Sequence, residues 1–132
     1  MSGVAIVRAL LVSNAALLAA VPAAKIMAGA IPLATVLPAI SVAQISSTER
    51  HTVAMVGQKL ITERVQVTVC AKSYPTQKSI LALVRAALPV SRGVVAGFDC
   101  DSVLADSEGP DIYDPDAVIY EQSQDFFVKF SR

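Results

Sequence analysis

Residues Asp116 to Phe130 alternate with a period of two. The even positions are Val118, Tyr120, Gln122, Gln124, Phe126, Val128 and Phe130, and they form a mostly apolar, aromatic face. The odd positions include Glu121, Ser123, Asp125 and Lys129, and they form a mostly charged one. That period belongs to a strand covered on one side only. Aromatic and β-branched enrichment agrees with it. The segment carries no catalytic pattern. A small protein that ends in a long packed strand, with no catalytic constellation upstream, reads as one built to assemble.

The rest of the chain supplies partners for that strand. Gly3–Ala20 reads as a helix, with Val4, Val7, Leu11, Leu18 and Val21 on one stripe and Ile6, Leu10 and Leu17 widening it. Arg8, Ser13 and Asn14 do not gather on a polar face, so this helix asks for burial on several sides, which a neighbouring subunit would supply. An apolar, proline-punctuated connection follows to Leu37. Pro38–Ser46 reads as a first strand, and residues 47–58 as a flexible loop. Leu60–Lys72 reads as a second strand, with Val65, Val67 and Val69 in clean alternation. Pro75 suits the first turn of a second helix, where its missing N–H costs nothing. Ile80, Leu83, Val84, Ala87 and Leu88 continue that helix and Pro89 stops it. Gly93–Leu104 reads as a third strand and residues 105–116 as an acidic loop. The expectation is an α+β fold of order α-β-β-α-β-β: a four-stranded, mainly antiparallel sheet with two helices, in one domain spanning 1–132. A chain of 132 residues is long enough for a core without disulfide staples.

Leu10–Ala24 admits a second reading. It is nearly all apolar, flanked by Arg8 and Lys25, and ends in small residues. It is short for a membrane span, which needs about 20 residues. It resembles the apolar core of a signal peptide, which would make the protein a secreted or periplasmic small binding protein. A buried helix is the other reading.

Charge is split along the chain. Met1–Phe98 carries nine Lys and Arg against two acids, Glu49 and Glu63, whereas Asp99–Arg132 carries nine acids against Lys129 and Arg132. The formal net charge is zero, which argues against nucleic-acid binding by bulk charge. Folding either interleaves the two sets or leaves a basic and an acidic region. Cys70 sits opposite Val65, Val67 and Val69 on its strand. Cys100 sits with Val94, Ala96 and Phe98. If both apolar faces look into one core, the thiols point to opposite sides of the sheet and stay free.

Chemistry-bearing residues are few. Asp99, Asp101, Asp106, Glu108, Asp111, Asp114 and Asp116 make a dense acidic run. Asp99 and Asp101 alternate and so share a strand face. Such carboxylates could hold calcium or magnesium, but their offsets are not those of an EF-hand loop. A solvated loop and a functional acidic surface are the other two readings. His51, beside Arg50 in the loop, has no nucleophile at triad spacing. Gly93-Val94-Val95-Ala96-Gly97 is not a phosphate loop. No catalytic residue, cofactor or metal is expected.

Three segments are similar to tail terminator, or tail completion, proteins of long-tailed phages. They are Leu37-Pro38-Ala39-Ile40-Ser41-Val42-Ala43-Gln44-Ile45, then Arg64–Val69 leading through Tyr74 into Ser79–Leu88, and Tyr120-Glu121-Gln122-Ser123-Gln124-Asp125-Phe126. The resemblance covers roughly residues 37 to 130; the first helix matches in kind only, and the run from Ala28 to Leu37 is longer and more apolar than the pattern. It implies a structural virion protein that forms a homo-oligomeric ring, a hexamer, at the head-proximal end of the tail. Such a ring caps the tail tube protein, ends tube growth and joins a head-side connector protein. It would be assembled in the host cytoplasm, away from membranes, with DNA passing through unbound. On that implication Asp99, Asp101, Asp106, Glu108, Asp111, Asp114, Asp116, Arg50 and His51 are the candidate assembly or lumen surface. A negative lumen would repel phosphates and keep DNA from adhering.

Overall fold

The structure, a computed structural model, describes residues 2–29, 31–32, 38–50, 60–88, 93–95 and 97–131. Its elements are α1 (Ser2–Val12), α2 (Ala15–Ala20), a 3-10 turn (Ala23–Lys25), β1 (Ile26–Ala28), β2 (Ala39–Arg50), β3 (Leu60–Ala71), α3 (Tyr74–Ala87), β4 (Gly93–Val95), β5 (Phe98–Glu108), β6 (Ile112–Asp114) and β7 (Ile119–Ser131). The alternating segment at the end of the chain becomes β7, a central strand between β3 and β5. The order across the curled sheet is β1-β2-β3-β7-β5-β4, and β6 pairs with the start of β7. Among the described residues only the β1–β2 pair is parallel.

One face of the sheet carries the core. Ile61, Val65, Val67 and Val69 of β3 join Phe126, Val128 and Phe130 of β7 and Ile40 and Val42 of β2. The helices lay Ile6, Val7, Leu11, Leu17, Ile80, Leu81 and Val84 on top of them. Each such side chain, taken fully out of water, contributes roughly 1.5–3 kcal/mol. The other face is polar, as expected of an antiparallel sheet covered on one side. There Thr68 Oγ1 and Ser123 Oγ, directly opposite in the ladder, hydrogen-bond at 2.9 Å. Arg64 donates to Asp125 through Nε at 3.1 Å and Nη2 at 2.5 Å.

The α+β class holds, but the four-stranded sheet and the expected order need correction. The sheet has seven strands among the described residues. Three of them, β1, β4 and β6, are three residues long, too short to show a period. The expected third strand is a hairpin: Gly97, at φ +82°, turns the chain between β4 and β5. Val94 therefore does not share a face with Cys100, since Gly93 is the residue opposite Cys100. The turn expected at residues 105–116 is partly strand, because β5 runs on to Glu108 and β6 follows. The first helix is two helices. Asn14 breaks it, and its side chain caps α2 by accepting from Leu17 N at 2.9 Å.

The monomer itself buries α1. Ile6, Val7 and Leu11 are fully covered and Val4 nearly so, so this helix does not call for a subunit neighbour. Gly3 lets α1 approach β3 closely. A Cβ there would lie 2.7 Å from Oε1 of Glu63, a buried carboxylate on the core face of β3. These helices are built into the core, so a chain lacking them would leave it open. Among the described residues no helix is long and apolar enough to cross a membrane. Of the loop expected at 47–58, residues 47–50 are strand and 51–58 lie outside the described residues. So do Ala30 and residues 33–37 of the apolar connection, and Pro89 after α3.

Candidate assembly surface

The acidic run splits into two groups, both exposed. Asp106, Glu108 and Asp111 meet bases from the other half of the chain. Arg64 lies 3.4 Å from Asp106, Arg85 lies 3.6 Å from Glu108, and Lys78 lies 2.7 Å from Asp111. Asp99, Asp101, Asp114 and Asp116 have no basic partner among the described residues. Folding therefore interleaves the charges only in part.

Helix α3 does most of the pairing. Ser73 is its N-cap, accepting from Thr76 N at 3.3 Å, and Pro75 stands in its first turn. Gln77, Ile80, Leu81 and Val84 form its buried stripe. Lys78 is thereby set beside the segment between β5 and β6. Its Nζ donates to Asp111 Oδ1 at 2.7 Å and to Gln122 Oε1 at 2.5 Å. Tyr74 donates its hydroxyl to Asp111 Oδ2 at 2.9 Å. The Lys78 bond first, and the Tyr74 bond second, hold the Asp111 carboxyl below its usual range, and the Asp111 bond holds the Lys78 ammonium above its own. Gln122, buried on β7, donates to the Gly109 carbonyl at 2.9 Å, and Gly109 N donates to Ser123 O at 2.7 Å. An aromatic row completes the clamp. Tyr113 and Tyr120 are opposite in the ladder with centroids 4.5 Å apart, and Tyr74 meets Tyr120 edge-on at 6.0 Å.

Beyond the clamp, residues 115–118 form an exposed turn. Asp114 Oδ1 accepts from the N–H groups of Asp116 at 3.0 Å and Ala117 at 3.4 Å. Val118, expected as the first apolar residue of β7, sits in this turn at φ +52° and half exposed. A β-branched residue in that region is strained. Asp99 and Asp101 lie elsewhere, on β5 next to its hairpin with β4. A register shift between Cys100 and Ser102 separates them, so simple alternation does not describe their faces. Arg50 ends β2 opposite Leu60. His51 lies outside the described residues.

Among the described residues no three His, Cys, Asp or Glu side chains are placed to hold a metal ion. Both cysteines are buried and free. Burial first, and the Glu121 charge second, push the Cys70 thiol up to about 11. Burial also raises Cys100, with Asp101 and Asp99 adding to it. A shallow cavity of about 540 Å³ beside α3 is lined by Ala20, Pro38, Pro75, Thr76, Ser79 and Ile80, and none of these is ionisable.

Sequence reasoning missed the buried polar residues. Glu63 is in phase with Ile61 and Val65, and Gln77 precedes Ile80 and Leu81 at helical spacing. Both signals were in the chain, carried by the period and hidden by residue type.

One comparison matches the sequence and another the fold. The protein family described as tail completion protein gp17 matches residues 5–130. A chain in the solved structure of the virion of the native gene transfer agent (GTA) particle superposes with a TM-score of 0.69 at 16% identity, covering 98% of this chain and 94% of that chain. At that identity the likeness is one of fold. No curated protein matches the sequence.

Proposed function

The chain belongs to the tail completion protein gp17 family, a family of phage tail structural proteins, and we propose that it closes into a ring at the head-proximal end of a long tail. There it caps the tube protein, ends its polymerisation and forms the surface that joins the head-side connector, with itself, the tube and the connector as its partners. The ring is a hexamer on this reading, assembled in the host cytoplasm, and DNA passes through it unbound. The observation that carries the proposal is the family match over nearly the whole chain. The fold shared with a virion chain supports it.

The partition of the acids refines the surface. Asp106, Glu108 and Asp111 serve the fold through their bases. Asp114 and Asp116, on the turn with the strained Val118, are free to face the lumen or a docking partner. Removal of the protein from an otherwise intact phage tests the role. Tails of uncontrolled length, or tails that fail to join heads, are expected; tails of normal length on infectious particles would contradict it. Complementation with Asp114→Asn/Asp116→Asn tests the surface. Asn keeps the Oδ1 acceptor at residue 114, so the melt should hold while infectivity falls; unchanged infectivity would make the turn a solvated one.

A further inference from the structure

The two flanks of the sheet carry opposite charge. At one flank, β6 and the turn after it hold Asp114 and Asp116, which have no basic partner among the described residues. Asp111 beside them is already bonded to Lys78. Lys72, just past the end of β3, forms no ion pair with either free acid among the described residues. The same hairpin exposes apolar surface, with Ile112, Tyr113 and Val118 each about half exposed. Tyr113 lies against Tyr120, and Tyr74 of α3 meets Tyr120 in turn, so Tyr113 sits on the helix-covered face of the sheet. Tyrosine is among the residues that most often anchor protein interfaces.

At the other flank, β1 is the outermost strand among the described residues. Arg8 of α1 donates from Nε to the Ile26 carbonyl at 2.9 Å, and Lys25 immediately precedes that strand. Arg8 too is on the helix-covered face, because α1 lies there. Neither base has an acidic partner among the described residues. All eleven acids of the chain are described, so no other segment supplies one. Around these bases Pro22, Ala24 and Ala28 are exposed, and all three are small and apolar.

The basic and acidic flanks stand at one level of the sheet. Ile26, Ile40, Val69 and Gln122 share a row across it. Lys25, one residue earlier, is level with the next row, Ala39, Cys70, Glu121 and Ile112. Tyr113 is one row further on, opposite Tyr120, and Asp114 follows it. A second copy placed alongside by a rotation about an axis roughly along the strands keeps this level and keeps its helices on the same side. It therefore sets its Arg8 and Lys25 against the first copy's Tyr113, Asp114 and Asp116. Such a contact is heterologous, and heterologous contacts that close make rings. The wrong pairings, acidic flank on acidic or basic on basic, bring like charges together and are disfavoured.

We propose that the β6 hairpin of one subunit, through Tyr113, Asp114 and Asp116, docks on Arg8 and Lys25 at the β1 flank of the next copy. This rests on the ring reading above and assigns its contact. Within one chain β1 and β6 are separated by four strand spacings, roughly 19 Å across the sheet. A zero-length carbodiimide therefore cannot join Lys25 to Asp114 or Asp116 of the same copy. The unaltered full-length protein is treated with it, both concentrated and in purified particles, and the covalent multimers are digested for mass spectrometry. A link from Lys25 to Asp114 or Asp116, confined to the multimers, is the expected result. Lys25→Glu and Asp116→Lys should each raise the concentration needed for assembly by about tenfold or more, because like charges then meet. The double variant, Lys25→Glu with Asp116→Lys, should restore assembly. Thermal melts identify any variant that folds poorly, and for such a variant the cross-link on the unaltered chain decides alone. A ring that forms without that link overturns the contact, as does a well-folded double variant that assembles no better than the singles; either leaves the ring reading standing. A chain that stays monomeric at every concentration and is absent from particles removes both.

Discussion

Lys78 on α3 donates to Asp111 at 2.7 Å, and that bond fastens the acidic segment to the helix. Without it the run from Glu108 to Asp114 would still be held by Tyr74 on Asp111, by Arg85 beside Glu108, by Gln122 and Gly109, and by the pairing of β6 with β7.

The clamp should be pH-dependent with a definite sign. The folded Asp111 carboxyl lies below its ordinary value, so its contribution is full above the unfolded pKa of about 3.9 and fades as pH falls through the folded value. The folded Lys78 ammonium lies above its ordinary value, so its share is full below about 10.4 and fades as pH rises through the folded value. Asp111→Asn should therefore melt slightly below the parent at neutral pH. The gap should close in acid, as thermal melts across pH would show. Both side chains are well exposed, so high salt should shrink the gap as well.

Gly3→Ala should destabilise the fold by about 1–3 kcal/mol, the usual cost of overpacking. The new methyl would meet Glu63 Oε1 at 2.7 Å and Glu63 Cβ at 3.1 Å. Glu63 is buried, so its carboxylate has little room to swing away. Chemical denaturation of the variant measures this directly; an unchanged midpoint would mean that α1 shifts freely.

Val118→Asn should raise stability by about 1 kcal/mol, because Asn tolerates the left-handed region and a β-branched residue does not. The side chain at 118 is half exposed, so little packing is lost. A drop in stability would show that Val118 packs on something essential.

Two thiols per chain should titrate under denaturing, non-reducing conditions. In the native state both should react slowly at neutral pH, since both are buried and Cys70 ionises only near 11. Fewer than two would contradict the register of β3 or β5.

The strands β3 and β7 and helix α3 were legible in the chain because each is long enough for its period to dominate. Val65, Val67 and Val69 face the core as their alternation requires. Short elements have no such redundancy: Ile26–Ala28 and Ile112–Asp114 become strands only because β2 and β7 offer them an edge. The break in the first helix was encoded in Ser13 and Asn14 but read as untidy polarity. The acidic run was legible as charge and not as geometry. That Asp111 is clamped and Asp114 is free depends on which residues α3 brings alongside, a relation between distant segments that local spacing does not carry.

The central claim is the ring. Imaging of purified particles at the junction of head and tail, with this protein labelled at its C-terminus, tests it most directly. The account predicts one closed ring of copies at the head-proximal end of each tail, absent along the tube. Label distributed along the tube, or particles assembled without the protein at all, would contradict it.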